Sequence, residues 1–192
     1  MNQPDTVSFW RGLLPHWEVV DGHYFVTLRL ANSLPHKVAK ELCAILSETS
    51  KDDSTEAARQ YFSKIEHWLD SNHGERLLEN AEIAAQLIST ANHYQKQGYW
   101  DIYAMVVMPT HIHLIFCCGS LNLANVMRRY KKYTAREINR IMHREGKRVW
   151  QREWFDHWSR SAQEDKKIIS YIRNNPVKAG LVKNPDDWPW TM

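Results

Sequence analysis

Met108-Pro109-Thr110-His111-Ile112-His113-Leu114-Ile115-Phe116 joins two short apolar runs, Tyr103–Met108 before it and Leu114–Cys118 after it. Both runs are rich in β-branched and aromatic residues, and Pro109-Thr110 interrupts them, so they read as two adjacent strands. Side chains two apart on a strand leave the same face, which sets His111 and His113 side by side as half of a metal site. On spacing alone the pair also fits two histidines of the core or surface. Zinc completed by cysteine on the same strand fails on reach. Cys117 shares the face but lies four residues beyond His113, ~13 Å along a strand, whereas a Zn–S bond is about 2.3 Å. A third ligand has to come from elsewhere in the chain.

Around this stretch the composition is ordinary for a soluble globular protein: 43% hydrophobic and 24% charged over 192 residues, which suits a single domain spanning 1–192. The apolar runs fall far short of the ~20 residues that span a bilayer, so no membrane association is expected. Met1-Asn2-Gln3-Pro4-Asp5 lacks the basic-then-apolar layout of a signal peptide. Three cysteines, two of them adjacent in an apolar run, make no disulfide framework and point to a reducing cytoplasm.

Charge is uneven. Between Met127 and Arg148 stand nine basic residues (128, 129, 131, 132, 136, 140, 144, 147 and 148) against Glu137 and Glu145, a local excess of +7 in a chain of net charge +3. The remainder is therefore acidic. Such a stripe reads as a polyanion surface or as a solvated helix face. Tyr130 and Tyr133, interleaved with the cations, add aromatic faces on which bases can stack.

In chain order, residues 1–22 read as irregular, and His23–Leu30 alternates as a strand. Asn32-Ser33-Leu34-Pro35 opens a helix through Val38, Leu42, Ile45 and Leu46. Lys51–Thr55 reads as an exposed polar tip, and two helices follow near 56–72 and 80–96. Ser120-Leu121-Asn122 caps the basic helix. The aromatic stretch Val149–Trp158 reads as core or as packing under a loop. Asp165–Asn174 is a helix that Asn175-Pro176 should halt, because a residue before proline avoids the α region. The tail to Trp190 packs back or adds a short edge strand. On the 165–174 helix, Ile168, Ile169 and Ile172 make one apolar stripe, while Lys166, Lys167, Ser170, Arg173 and Asn174 face away. Tyr171 and Asn175, four apart, stack at the border of that stripe and edge a cleft. There they offer a nucleophilic hydroxyl and a hard oxygen ligand.

Pro109-Thr110-His111-Ile112-His113 before a strand resembles the HUH motif, His–bulky apolar–His. Trp150-Gln151-Arg152-Glu153-Trp154-Phe155-Asp156-His157 and Tyr171-Ile172-Arg173-Asn174-Asn175-Pro176-Val177-Lys178-Ala179-Gly180 resemble the rest of the signature of the single-tyrosine HUH, or IS200-like, transposases. Within these the chain is similar to the REP-associated tyrosine transposases. One departure is Thr110, where relatives more often carry Asn or Glu.

The resemblance implies an α+β fold, a ferredoxin-like antiparallel sheet with helices on one face plus extra helices. It implies that His111, His113 and Asn175 hold Mg²⁺ or Mn²⁺ and that Tyr171 attacks a phosphate of single-stranded DNA beside REP-type hairpins. A 5′-phosphotyrosine link and a free 3′-hydroxyl would result, allowing later rejoining without a nucleotide cofactor. Arg128, Arg129, Lys131, Lys132 and Arg136 would contact phosphates. The protein would act as a monomer or homodimer in the cytoplasm, associated with the nucleoid. Two other readings stay open: a non-catalytic hairpin-binding regulator, and a metal nuclease that uses water. Tyr130 and Tyr133 are the other tyrosines within reach of DNA.

Overall fold

The structure is a computed structural model that describes residues 6–12, 14–35, 37–38, 41–42, 54–70 and 74–192. In chain order its elements are β1 (Thr6–Arg11), β2 (Pro15–Val19), β3 (His23–Arg29), α1 (Ser54–Asp70), α2 (Ala81–Lys96), β4 (Trp100–Val107), β5 (His111–Cys118), α3 (Leu123–Ile141), β6 (Phe155–Ser159) and α4 (Ala162–Lys178). Short 3₁₀ turns cover Leu77–Glu79 and Pro185–Asp187. Of the helix expected from Leu34 onward, Val38 and Leu42 pack with Leu14, Tyr61, Ile65 and Leu69. Its positions 45 and 46 lie outside the described residues, as do 51–53 of the expected polar tip.

The two strands expected around Pro109-Thr110 form as β4 and β5, within a four-stranded antiparallel sheet of order β4-β5-β3-β6. Helices precede β4 and link β5 to β6, which is the ferredoxin-like β-α-β-β-α-β arrangement. Alternation then sorts each strand's side chains to two faces. Tyr24, Val26, Leu28, Ile112, Leu114 and Phe116 enter a large core under α2 and α3, where Trp100 is fully buried and donates Nε1–H to Ala91 O at 3.1 Å. Phe25, Ala104, Val106, Met108 and Ile115 line the other face, which the extra helix α4 covers with Ile168, Ile169 and Ile172. Local chemistry fixes the helix starts. Asn80, Asn122 and Ser161 each accept a backbone N–H in the first turn, and Glu18 Oε1 takes a further one, Leu123 N–H at 3.1 Å.

Three elements depart from the sequence reading. Residues 6–19 are not irregular but form the β1–β2 hairpin. Its inward positions on β2 are His16 and Glu18, both buried, so the face that packs inward carries no apolar alternation to read. The aromatic run 149–158 contains β6, paired with β3 from Thr27↔Phe155 to His23↔Ser159. Pro176 does not stop α4, which runs on to Lys178. Only the last turn lies beyond it, and Ala179, Gly180 and Leu181 N–H close onto the Asn175, Val177 and Pro176 carbonyls at 2.9 Å. The tail adds a short antiparallel bridge at β4, with Thr191 opposite Val106 and Trp188 Nε1–H donating to Val107 O at 3.0 Å. Among the described residues, no helix is long and apolar enough to cross a membrane.

The hairpin is fastened to β6 by a buried ion pair. His16 Nδ1 meets Asp156 Oδ1, His16 Nε2 lies 3.4 Å from Glu153 Oε2, and the ring sits between Trp10 and Trp154. Burial opposes a charge on His16, yet Asp156 and Glu153 together hold its pKa above the ordinary 6.5. A raised histidine pKa gives stability that is complete below 6.5 and is lost as pH rises through the folded value. His16→Gln is therefore expected to cost of order 3 kcal/mol near pH 6. Thermal melts of wild type and variant should converge as pH is raised; a gap that stays constant or widens would contradict this pairing.

Candidate active site

Register places the site. Thr27 lies opposite His113 and Arg29 opposite His111 across the β3/β5 ladder, and all four sit on the α4 face of the sheet. A slip of one residue would turn both histidines into the opposite core. Each imidazole is held through Nδ1, that of His113 to Thr27 Oγ1 at 2.8 Å and that of His111 to Thr110 Oγ1 at 2.9 Å. In the tautomer whose Nδ1–H donates to the hydroxyl, the Nε2 lone pair of each ring is left free for a ligand. Thr110 thus supplies a ring-orienting hydrogen bond from the turn before β5.

From above, α4 brings Tyr171 and Asn175 onto the histidines. Asn175 Nδ2–H donates to Tyr171 Oη at 3.0 Å, and Tyr171 O–H faces His113 Nε2 at 3.4 Å. His111, His113 and Asn175 are buried, and two polar atoms among them, His111 Nε2 and Asn175 Oδ1, have no hydrogen-bond partner. Unsatisfied buried acceptors are costly. A divalent cation would satisfy both at once. The donor set is two neutral imidazole nitrogens and an amide oxygen, and it fits Mn²⁺ at least as well as Mg²⁺, which prefers oxygen. Among the described residues no three His, Cys, Asp or Glu side chains cluster as a possible metal site.

The surroundings keep the imidazoles neutral. Burial lowers the His111 pKa to about 3, with a further push from the Lys178 charge; burial, His111 and Lys178 hold His113 well below its ordinary value. Phe25 stacks on His113 with ring centroids 5.5 Å apart, and Phe62 and Phe155 close the apolar wall around Tyr171. Lys178, two turns beyond Tyr171, has its Nζ 5.6 Å from the centre of the tyrosine ring and 3.5 Å from Glu66 Oε2 on α1. On its outer side Tyr171 borders a shallow groove with Lys166, Lys167, Ser170 and Asn174. The start of α4 is pinned by His157–Glu164 and His23–Asp165, each 2.8 Å. His157 thus positions the helix, while Asp156 belongs to the hairpin clamp. Thr27, Phe62 and Lys178 were not singled out from sequence; only Lys178 lay inside a quoted motif.

The structure does not bring the basic helix to this site. α3 packs on the opposite face of the sheet. Arg128, Arg129, Lys132 and Arg136 are exposed there. Lys131 is not: it donates to Gln151 O at 2.9 Å and Arg152 O at 2.7 Å, and burial brings its pKa down to about 8. It fastens α3 to the segment before β6 instead of facing solvent. Tyr130 is fully buried with its hydroxyl on Leu87 O at 3.0 Å, which removes it as a stacking face and as a nucleophile; Tyr133 remains exposed.

The family model described as "Transposase IS200 like" matches residues 67–175, more than half of the chain. A REP-associated tyrosine transposase of Escherichia coli K12 is 33% identical over 95 residues, covering 48% of this chain and 53% of that protein. A Haemophilus influenzae protein provisionally named in the same way is 27% identical over 121 residues, covering 57% of this chain and 66% of that one. The match thus spans between half and two thirds of the relatives' length. A solved structure of a REP-associated tyrosine transposase bound to a REP hairpin superposes with a TM-score of 0.53 at 21% identity, covering 96% of this chain and 82% of that one.

If the threonine hydroxyls aim the imidazoles, Thr27→Val and Thr110→Val, near-isosteric changes, should each weaken Mn²⁺ binding by roughly 10- to 100-fold. Isothermal titration of the purified variants measures this directly. Affinity equal to wild type in both would remove the threonines from the site.

Proposed function

The chain belongs to the IS200-like transposase family, and from that premise we propose that it cleaves and rejoins single-stranded DNA beside REP-type hairpins, with Tyr171 as nucleophile. The observation that carries the proposal is the convergence of a half-buried Tyr171 Oη on the buried His113 Nε2 and Asn175, beside the unpartnered His111 Nε2. Three groups on two elements meet within hydrogen-bond reach of the hydroxyl or of one another. A purely structural tyrosine would not need two unsatisfied acceptors as neighbours.

In the proposed reaction Tyr171 Oη gives up its proton and forms a bond to phosphorus as the bond from phosphorus to the 3′-oxygen breaks. The 5′-phosphate stays on the tyrosine, and the departing 3′-oxygen takes up a proton. Asn175 Nδ2–H orients Tyr171 Oη, and the Phe25, Phe62 and Phe155 rings keep water from competing with the 3′-hydroxyl for the linkage. The Lys178 ammonium over the tyrosine ring favours negative charge on the phenolic oxygen. His111, His113 and Asn175 would hold Mn²⁺ or Mg²⁺, which when bound polarises phosphoryl oxygens and neutralises charge developing in the transition state. Arg128, Arg129, Lys132 and Arg136 supply phosphate contacts for DNA that extends past the sheet edge onto α3.

A hairpin oligonucleotide with single-stranded flanks, labelled at either end and incubated with Mn²⁺ or EDTA, tests the reading. The expected product on a denaturing gel is protein carrying the downstream strand, formed only with metal and absent in Tyr171→Phe and His111→Ala. Free cleaved DNA that persists in Tyr171→Phe would replace the tyrosine mechanism with a water-using nuclease. Hairpin binding with no cleavage would replace it with a regulatory role.

A further inference from the structure

At the end of the sheet where β5 begins, a cleft of about 390 Å³ opens between the loop after α3 and the segment after β3. Ala31, Asn32 and Glu75 form one wall, and Arg144, Lys147 and Arg148 the other. The basic wall is built rather than draped. Asn139 Nδ2–H donates to Lys147 O at 2.7 Å, Arg144 N–H to Asn139 O at 2.9 Å, and Gly146 turns the chain at φ +77°, a backbone conformation that side chains rarely adopt. Arg148 is fixed through Nε–H to Trp150 O and Nη2–H to Gln151 Oε1, both 3.2 Å.

Arg144 sets the chemistry. Its Nη1 pairs with Glu75 Oε1 at 2.5 Å and its Nε donates to Asn139 Oδ1 at 3.3 Å, but Nη2 is buried without a hydrogen-bond partner. A guanidinium with one free edge, beside a second arginine and a lysine, suits a tetrahedral oxyanion that accepts from the fork. Glu75 offsets only one of the three cations. The position matters as much as the charge. Ala31 lies two residues beyond Arg29, which faces His111 across the ladder, ~7 Å of strand. One wall of the cleft thus adjoins the sheet end that carries His111, and the other is the loop that leaves the basic helix α3.

We propose that this cleft binds one backbone phosphate of the DNA strand, next to the strand segment at the Tyr171 site, and so carries the strand from one face of the sheet to the other. The proposal rests on the DNA-binding reading above but not on the tyrosine chemistry, and binding rather than cleavage is its readout. Lys147→Gln removes one cation from an exposed position, and Arg144→Lys keeps a charge toward Glu75 while deleting the free Nη2. Each should weaken binding of a hairpin with a single-stranded flank roughly fivefold at low salt. Lys147→Gln, which removes a cation, should also lower the slope of log affinity against log salt by about 0.7–0.9, whereas Arg144→Lys, which keeps its charge, should leave the slope unchanged. In flanks carrying a neutral methylphosphonate at successive linkages, one position should weaken wild type and leave the variants no weaker than before.

Affinity and slope unchanged in both variants would overturn the proposal while leaving DNA binding intact. Wild type that binds no hairpin would overturn the DNA reading and the cleft's role together. A third arm separates the source of the phosphate. Inorganic phosphate that raises the melting temperature of wild type but not of Lys147→Gln, with DNA affinity equal in the two, would make the cleft a free-phosphate site and overturn the assignment to a strand.

Discussion

Two imidazoles buried side by side on a sheet face are tolerable only if both stay neutral and their Nδ1 atoms are satisfied. Thr27 and Thr110 meet that need, one from the neighbouring strand and one from the turn before β5. The rest of the site follows from it. In the tautomer whose Nδ1–H donates to the hydroxyl, both Nε2 lone pairs are left free for a ligand, and because the rings are uncharged, a cation can sit among them. The β3/β5 register is what puts Thr27 opposite His113, so sheet and site share one specification.

α4 completes the arrangement by being held at both ends. His157 and His23 grip Glu164 and Asp165 in its first turn, while Ile168, Ile169 and Ile172 pack on the sheet. Continuing through Pro176 costs the helix one backbone hydrogen bond, but it keeps Lys178 on the same side as Tyr171. That places an ammonium over the tyrosine ring and close enough to the histidines to disfavour their protonation. The end of the helix is thus fitted to the Lys178–Tyr171 contact more than to helix propensity.

Much of this was legible in the chain. The H-x-H pair on a short apolar strand and the Tyr171/Asn175 spacing on a helix were readable because side-chain direction follows from period alone. What stayed hidden depended on contacts between distant segments. Thr27 is an unremarkable strand residue until His113 is set opposite it. The β1–β2 hairpin was missed because its inward face carries His16 and Glu18, which are satisfied by Asp156 and by the first turn of α3. Lys131 and Tyr130 looked like members of a basic, aromatic surface, yet helical phase turns Tyr130 into the core and Lys131 toward two carbonyls before β6. Charge density along a sequence does not say which cations are already spoken for.

In the proposed reaction Tyr171, and no other side chain, takes the DNA phosphate. The measurement that bears on it most directly is mass spectrometry of the protein after reaction with a hairpin substrate and Mn²⁺, followed by nuclease and trypsin digestion. A nucleotide mass added to the peptide from Ile168 to Arg173, with fragmentation placing it on Tyr171, is the expected result. The same addition on Tyr133, or on any peptide lacking Tyr171, would contradict it.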